Sequence, residues 1–257
     1  MTDDEIDWPR YLADFHRDRA GVVEAVLSRS VGGDHTPYRW LARAVGGGAR
    51  TVLDLACGSG PVSRELTGDG RTVIGLDLSS AELRLAAERG PGPWIRGDGL
   101  RLPFKDGSLD AVTSSIGLVV ITPLTALMAE ITRVLRPGGV LAAIAPALRP
   151  LSPSDLRILA RINTRLRGKP QFPGPVELAG FTKTLQAYGM RRVEDQRERY
   201  RFTVTSRADA ELVLSALYLP QTRWSRVEAA IELLQDRVAR KGSVDITIPM
   251  RRVVAIK

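Results

Sequence analysis

A glycine turn and two carboxylates in the first half of the chain have the types and spacing needed to hold a nucleoside. The run from Val52 to Leu55 predicts a buried strand, and residues 54–60 read Asp-Leu-Ala-Cys-Gly-Ser-Gly. Glycines let a backbone approach a ligand closely, and the helix start that should follow presents free amides. Asp77 lies seventeen residues beyond Gly60, where a carboxylate can accept both hydroxyls of a ribose. It would repel a 2′-phosphate, which disfavours an NADP-like ligand.

Strands and helices alternate around these residues. Strands are predicted at 51–55, 71–76, 94–95, 109–116 and 140–145, with helices between them. Ser79 and Glu82 have the spacing of a capping box, and Pro123 is expected at the first position of a helix. Such an alternation predicts a parallel sheet with right-handed crossovers.

The flanking segments complete the predicted architecture. Helical spacing at 10–29 and 37–45 predicts an N-terminal helical cap. After residue 146, we expect helices at 152–167, 176–188, 207–218 and 224–240, and strands at 197–205 and 243–256. The expected fold is α/β, with a Rossmann-like, mostly parallel seven-stranded sheet, helices on both faces and a helical insertion after strand five. The last strand is expected to be antiparallel, at the sheet edge. We divide the chain into the cap at 1–45, a core at 46–148, and 149–257 as the C-terminal part of the same domain.

Five motifs within residues 45–146 resemble those of class I S-adenosylmethionine-dependent methyltransferases, in the same order and at similar intervals. Asp54–Gly60 resembles motif I, (Asp/Glu)-x-Gly-x-Gly-x-Gly, with Ala56 in place of the first glycine. The other four are Asp77-Leu78-Ser79, the segment from Gly97 to Phe104, Ser108–Val112 and Leu135–Gly139. The combination is most similar to the branch that includes the ubiquinone and menaquinone methyltransferases.

The resemblance implies S-adenosyl-L-methionine as the cofactor. Asp98 would bind the adenine amino group, and the backbone near Ser114 would hold the methionine end. The full set of implied cofactor-binding residues is Asp54, Ala56, Cys57, Gly58, Ser59, Gly60, Asp77, Leu78, Asp98, Gly99, Leu100, Ser114 and Ser115.

The expected reaction is methyl transfer by in-line displacement, for which alignment of the two reactants supplies much of the acceleration. A general base is needed only if the acceptor carries a proton at attack. The segment after the fourth strand, 114–120, has no histidine, which leaves His16, His35 and Tyr38 as catalytic candidates. Candidate acceptor-binding residues are Tyr38, Arg39, Tyr218 and Trp224.

Composition excludes several other classes of protein. Cys57 is the single cysteine, which excludes an internal disulfide and a cysteine-rich zinc site and fits a cytoplasmic protein. No metal site is predicted. No apolar run is long enough to span a bilayer, and the acidic stretch from Met1 to Asp7 is unlike a secretory signal.

Three functional hypotheses follow. The first is a methyltransferase acting on a small molecule through an oxygen, nitrogen or carbon nucleophile. The second is an RNA methyltransferase, because residues 149–257 carry 21 basic against 11 acidic side chains whereas residues 1–148 carry 16 against 18. Arg157, Arg161 and Arg165 would then form a stripe that holds phosphates. The third is a cofactor-binding protein without catalysis, against which the complete motif set argues. The oligomeric state is not indicated.

Overall fold

The computed structural model describes residues 6–68 and 70–257 and contains one seven-stranded sheet. Residues 1–5, which belong to the predicted cap and to the acidic N-terminal stretch, and residue 69 lie outside this description. The strands are β1 (Thr51–Leu55), β2 (Thr72–Asp77), β3 (Trp94–Arg96), β4 (Leu109–Ser115), β5 (Leu135–Pro146), β6 (Arg191–Val204) and β7 (Val244–Ile256). Their order is β3-β2-β1-β4-β5-β7-β6.

The first five strands are parallel, and β7 is antiparallel to both of its neighbours, which confirms the predicted fold class. The edge position expected for the last strand is wrong, because β7 lies between β5 and β6. The side chains explain this order. Most of β7 is buried, whereas β6 alternates arginines and acids that remain at least partly exposed along much of its length. A charged strand is suited to the edge, where it discourages pairing with another chain.

Eleven α-helices are found in the described residues. They are α1 (Trp8–Asp18), α2 (Val22–Leu27), α3 (Pro37–Ala42), α4 (Pro61–Leu66), α5 (Ser80–Arg89), α6 (Gly117–Val120), α7 (Leu124–Val134), α8 (Pro153–Leu166), α9 (Phe181–Ala187), α10 (Arg207–Ser215) and α11 (Trp224–Lys241). The short α6 was not predicted. None of the helices in residues 6–68 and 70–257 is both long and apolar enough to cross a membrane.

Two predicted helices are each divided by a left-handed glycine. The helix expected at 10–29 is α1 followed by α2, with Gly21 between them at φ +75°. The helix expected at 176–188 is a 3₁₀ turn, Val176–Leu178, followed by Gly180 at φ +73° and then α9. The apolar spacing of both segments continues through the break, so periodicity alone does not reveal it.

The helix starts test the capping predictions. Ser79 accepts the amide of Glu82 at 3.3 Å, as a capping residue should, but the Glu82 carboxylate binds elsewhere and the Ser79 amide donates to Asp77. Ser152 and Asp155 form the complete capping box instead, at the start of α8. Pro123 is the N-cap of α7 rather than its first residue.

Apolar clusters on both faces of the sheet fix the strand ends. One contains Leu53, Leu76 and Val112 from the strands with α7 and α9, and a second packs α3 and α4 on the opposite face. A third joins α8, α10 and α11 to the ends of β6 and β7. This packing places the carboxyl ends of β1, β2 and β4 side by side, where parallel α/β sheets bind ligands.

Candidate functional site

A cavity of about 770 Å³ opens at the carboxyl ends of β1, β2 and β4. Its floor includes residues 54–59 from β1 and the turn after it, Asp77 from β2, and Asp98 from the loop after β3. Its roof is α1, which contributes Trp8, Leu12 and His16, among others. The cavity therefore joins the glycine turn of the sequence to the N-terminal helices.

The turn after β1 is held by the carboxylate of Asp77. One Asp77 oxygen accepts the Gly58 amide at 2.8 Å, and the other accepts the Ser79 amide at 2.8 Å. Gly60 has φ +80°, and a Cβ there would come within 2.6 Å of the Trp94 ring. A glycine is thus required at residue 60, because both its backbone conformation and the adjacent indole exclude a side chain.

Asp54 is a second, fully buried carboxyl group in the cavity floor. It accepts hydrogen bonds from the Ser63 hydroxyl at 2.7 Å and the Thr113 hydroxyl at 3.3 Å. Burial outweighs these bonds and raises the pKa of Asp54 to about 7. The pKa of Asp77 is raised as well, chiefly by burial. A ligand that brings a positive charge or hydroxyl donors would compensate both groups.

His16 links α1, the roof of the cavity, to Glu82 and Tyr218 in the cavity wall. Its Nδ1 lies 2.9 Å from a Glu82 oxygen and its Nε2 lies 3.0 Å from the Tyr218 hydroxyl. The other Glu82 oxygen accepts the Gly21 amide at 3.0 Å. One buried carboxylate of α5 therefore binds both α1 and the turn between α1 and α2. Tyr11 adds a further link, since its hydroxyl accepts the Leu219 amide at 2.8 Å.

Glu24 links α2 to neighbouring elements, as Glu82 links α1. It binds the Ser59 hydroxyl at 2.5 Å, Arg64 at 2.6 Å and Arg89 at 2.7 Å. Sequence reasoning did not identify Glu24 or Glu82 as site residues. The capping position of Glu82 was noticed, but its partners are 61 and 66 residues away in the chain and leave no local pattern.

The residues present fit S-adenosylmethionine. The carboxylate of Asp77, a group that can accept vicinal hydroxyls, lies on the same lining as that of Asp98, which also accepts the Leu100 amide at 2.9 Å. Leu78 and Leu100 supply apolar surface beside them for an aromatic base. The buried carboxyl of Asp54 at the other end of the turn suits an ammonium group.

Most of the residues proposed from sequence line this one cavity. They are Asp54, Ala56, Cys57, Gly58, Ser59, Asp77, Leu78, Asp98, Gly99, Leu100 and Ser115 for the cofactor, with His16, Tyr38 and Tyr218 for catalysis or the acceptor. Two cofactor candidates are not in the lining. Gly60 lies beneath Trp94, and the Ser114 hydroxyl donates to the Leu55 carbonyl at 2.9 Å inside the sheet.

Three other candidates are also placed outside the lining. The His35 ring lies against Trp40 and Tyr200, and its Nδ1 is 2.9 Å from Asp34. Arg39 extends toward Glu65 at 3.9 Å, and Trp224 is 63% exposed at the start of α11. Helical periodicity could not separate these side chains from Tyr38, which is buried within the lining.

Residues 53–143 match a family model described as a methyltransferase domain. This confirms the resemblance to class I methyltransferases inferred from the five motifs, and members of that class use S-adenosylmethionine. The matched residues run from β1 into β5 and include the glycine turn and Asp77.

Curated relatives align with part of the chain. It is 39% identical over 149 residues to a demethylmenaquinone methyltransferase of Beutenbergia cavernae, covering 54% of this chain and 62% of the relative. It is also 39% identical over 112 residues to a 2-phytyl-1,4-naphtoquinone methyltransferase of Synechococcus elongatus, covering 40% and 48%. The aligned part thus spans less than two thirds of either relative.

A solved structure shows the same fold across nearly the whole chain. It is a phosphoethanolamine N-methyltransferase 2 of Haemonchus contortus, in complex with phosphomonomethylethanolamine and S-adenosylhomocysteine. The TM-score is 0.58 at 16% identity, with 98% of this chain and 60% of that chain covered. At this identity, the likeness concerns the fold.

Proposed function

We propose that this chain, which carries a methyltransferase domain at residues 53–143, transfers a methyl group from S-adenosylmethionine to a small aromatic molecule of the quinol type. The single observation that carries the proposal is the cavity, in which the carboxylates of Asp77 and Asp98 share one lining with an apolar roof. The names of the curated relatives support a quinone-derived acceptor.

The residues that would hold the cofactor follow from the site. Asp77 would accept the ribose hydroxyls, Asp98 the adenine amino group, and Asp54 the ammonium group of the methionine end. The amides of Ala56 and Ser59 would complete the contact, because those of Cys57 and Gly58 donate to Leu76 and Asp77. When bound, the cofactor supplies a methyl group already activated by a positively charged sulfur.

The chain itself would align the acceptor and exclude water. Trp8 and Leu12 of α1, with Val120 and Ile121 after β4, provide apolar surface on which an aromatic ring can pack. Such alignment accounts for most of the acceleration expected of a reaction whose donor is preactivated.

His16 is our proposed proton acceptor. If the Glu82 carboxylate accepts the Nδ1 hydrogen of a neutral imidazole, Nε2 is left with a lone pair, which the Tyr218 hydroxyl faces at 3.0 Å. A hydroxyl group of an acceptor bound beside Tyr218 would donate its proton to the Tyr218 oxygen, while the Tyr218 hydroxyl proton passes to Nε2 of His16. His35, outside the lining, is not placed for this role.

The decisive experiment is product analysis. The protein is incubated with S-adenosylmethionine and a reduced short-chain naphthoquinone, and the product is examined by mass spectrometry for the gain of one methyl group. The small-molecule proposal would be refuted if the naphthoquinol stayed unmethylated while RNA from a parallel incubation gained a methyl group. That result would favour the RNA alternative, which the basic residues 149–257 suggest. A cytoplasmic location and the three-part division of the chain stay predictions.

Cofactor affinity should rise with pH up to about 7. In the free protein, Asp54 has a pKa of about 7, so below that pH its proton must leave before an ammonium group can bind as an ion pair. We expect the affinity for S-adenosylhomocysteine to increase by up to about tenfold per pH unit between pH ~5.5 and ~7 and then to level off. Calorimetry in two buffers of different ionisation enthalpy should show proton release below pH ~7.

The stability of the free protein should respond in the opposite direction. Because the folded-state pKa of Asp54 lies above the usual value of 3.8, its contribution to stability is present at low pH and is lost as pH rises through about 7.

Asp54→Asn is the control for the binding experiment, and it should flatten the dependence of cofactor affinity on pH. A wild-type profile that is already flat would contradict the assignment of Asp54 to the ammonium group.

A further inference from the structure

The outer surfaces of α8 and α11 carry a cluster of arginines that lack acidic partners. Many arginines elsewhere bind acids directly, as Arg133 binds Glu130 and Arg251 binds Asp195. By contrast, seven arginines of α8, its C-cap and α11 have no carboxylate within 4.0 Å among the residues that the structure describes. We call this set the basic face: Arg157, Arg161, Arg165, Arg167, Arg226, Arg237 and Arg240.

The charges of the basic face are not neutralised from below. The one acid of α8, Asp155, points inward, is 5% exposed and binds Arg199 at 2.9 Å. The exposed acids of α11, Glu232 and Asp236, make no ion pair with the basic face among the described residues.

Crowding of these cations is visible at Arg237. Burial, together with the positive charges of Arg161 and Arg240, lowers the pKa of Arg237. Its Nε is shielded from solvent and has no hydrogen-bond partner in the described part of the chain. An anion placed over this surface would relieve the repulsion.

The basic face also has a concave site of suitable chemistry. Arg165, Arg167 and Arg226 border a cavity of about 480 Å³, together with Thr164 and Ser225. Guanidinium and hydroxyl groups are the side-chain donors that bind phosphate oxygens.

Apolar side chains accompany the arginines. Leu156 on α8 is 54% exposed, and Trp224 at the start of α11 is 63% exposed. Basic residues interspersed with exposed tryptophan and leucine are typical of surfaces that lie against a bilayer. An RNA site would use the arginines and could stack a base on the tryptophan, whereas the exposed leucine suits the apolar interior of a bilayer.

The basic face is connected to the wall of the acceptor cavity by a short loop. Beyond the end of α8, the Gln171 amide donates to the Tyr218 carbonyl at 3.0 Å, and the Phe172 ring packs on the Tyr218 ring at 5.6 Å. Tyr218 lines the cavity. A surface on which the basic face rests would therefore lie close to the acceptor site.

We propose that the basic face docks the protein on the phosphate headgroups of an anionic lipid bilayer. The choice of a lipid surface rests in part on the apolar acceptor proposed above, which would partition into such a surface. The docking itself requires no catalysis and can be measured without it.

The test is sedimentation with lipid vesicles. Wild-type protein should bind vesicles that contain phosphatidylglycerol, should ignore vesicles of phosphatidylcholine alone, and should bind less at about 0.3 M than at about 0.05 M salt. The variant Arg157→Glu/Arg161→Glu/Arg165→Glu removes three exposed cations. Its affinity for anionic vesicles should fall by about 100-fold or more, from about fivefold for each basic residue.

The matched control reverses three exposed cations elsewhere, as Arg84→Glu/Lys105→Glu/Lys183→Glu, and should keep wild-type binding. Both variants should retain the wild-type melting temperature and affinity for S-adenosylhomocysteine, which separates this test from that of the proposed function. Equal vesicle binding by the two variants would overturn the proposal. So would binding to transfer RNA, lost in the first variant, without binding to vesicles.

Discussion

Replacing Asp77 by asparagine should weaken the binding of S-adenosylhomocysteine by about 100-fold. The carboxylate accepts the amides of Gly58 and Ser79, both at 2.8 Å, and in the proposed site it would also accept the ribose hydroxyls. Asparagine has one acceptor oxygen, so its amide nitrogen would face a donor on one side. Hydrogen bonds to a charged group contribute about 1.5–3 kcal/mol each, and a loss in this range corresponds to the expected change in affinity.

Calorimetric titration measures this change directly. Asp106→Asn is the control, because its side chain is 80% exposed and pairs with Arg133 far from the turn. The control should bind the ligand as the wild type does. Undiminished affinity in the Asp77 variant would show that the ribose is held elsewhere and would remove the main support for the proposed cofactor site.

Replacing Glu82 by alanine should weaken the attachment of α1, the roof of the cavity, to the rest of the protein. The carboxylate is 4% exposed and binds His16 at 2.9 Å and the Gly21 amide at 3.0 Å. Alanine would leave both donors without a partner. Each buried polar group left in this state costs about 1–3 kcal/mol, so we expect the free energy of unfolding to fall by about 2–4 kcal/mol and cofactor affinity to fall with it.

Glu82→Gln distinguishes the loss of these bonds from the loss of charge. Glutamine can still accept the Gly21 amide, and the imidazole of His16 can change tautomer to suit the side-chain amide. Chemical denaturation and hydrogen exchange of α1 should place glutamine near the wild type and alanine well below it. If the amides of α1 exchange at the same rate in the two variants, Glu82 does not hold α1 in place over the cavity.

The central strands and the cofactor turn could be predicted from sequence because their signals are local. Asp54, Gly58 and Asp77 belong to short motifs at strand ends, and a strand end in a parallel sheet determines where its next residues lie. The roof depends instead on contacts between distant segments. Nothing near His16 in the chain indicates Glu82 or Tyr218, and nothing near His35 indicates that it packs on Tyr200.

The position of β7 shows a further limit. Its length and apolar character predicted a strand, but not that β6 would reach the sheet only through it. The alternating charges of β6 indicate this strand order. They would be buried if β6 paired directly with β5, whereas at the sheet edge they can remain exposed. Strand order follows from comparing strands with each other, whereas propensity describes each alone.

This arrangement has a consequence for how the chain matures during synthesis. The five parallel strands are complete once residue 146 has emerged from the ribosome. By contrast, 39 residues, including α10 and α11, separate β6 from the strand that bridges it to β5. Until then, the outer backbone of β5 is an unpaired edge, with which another strand can form incorrect hydrogen bonds. Nascent chains arrested between β6 and β7 should accordingly be those most often retained by chaperones.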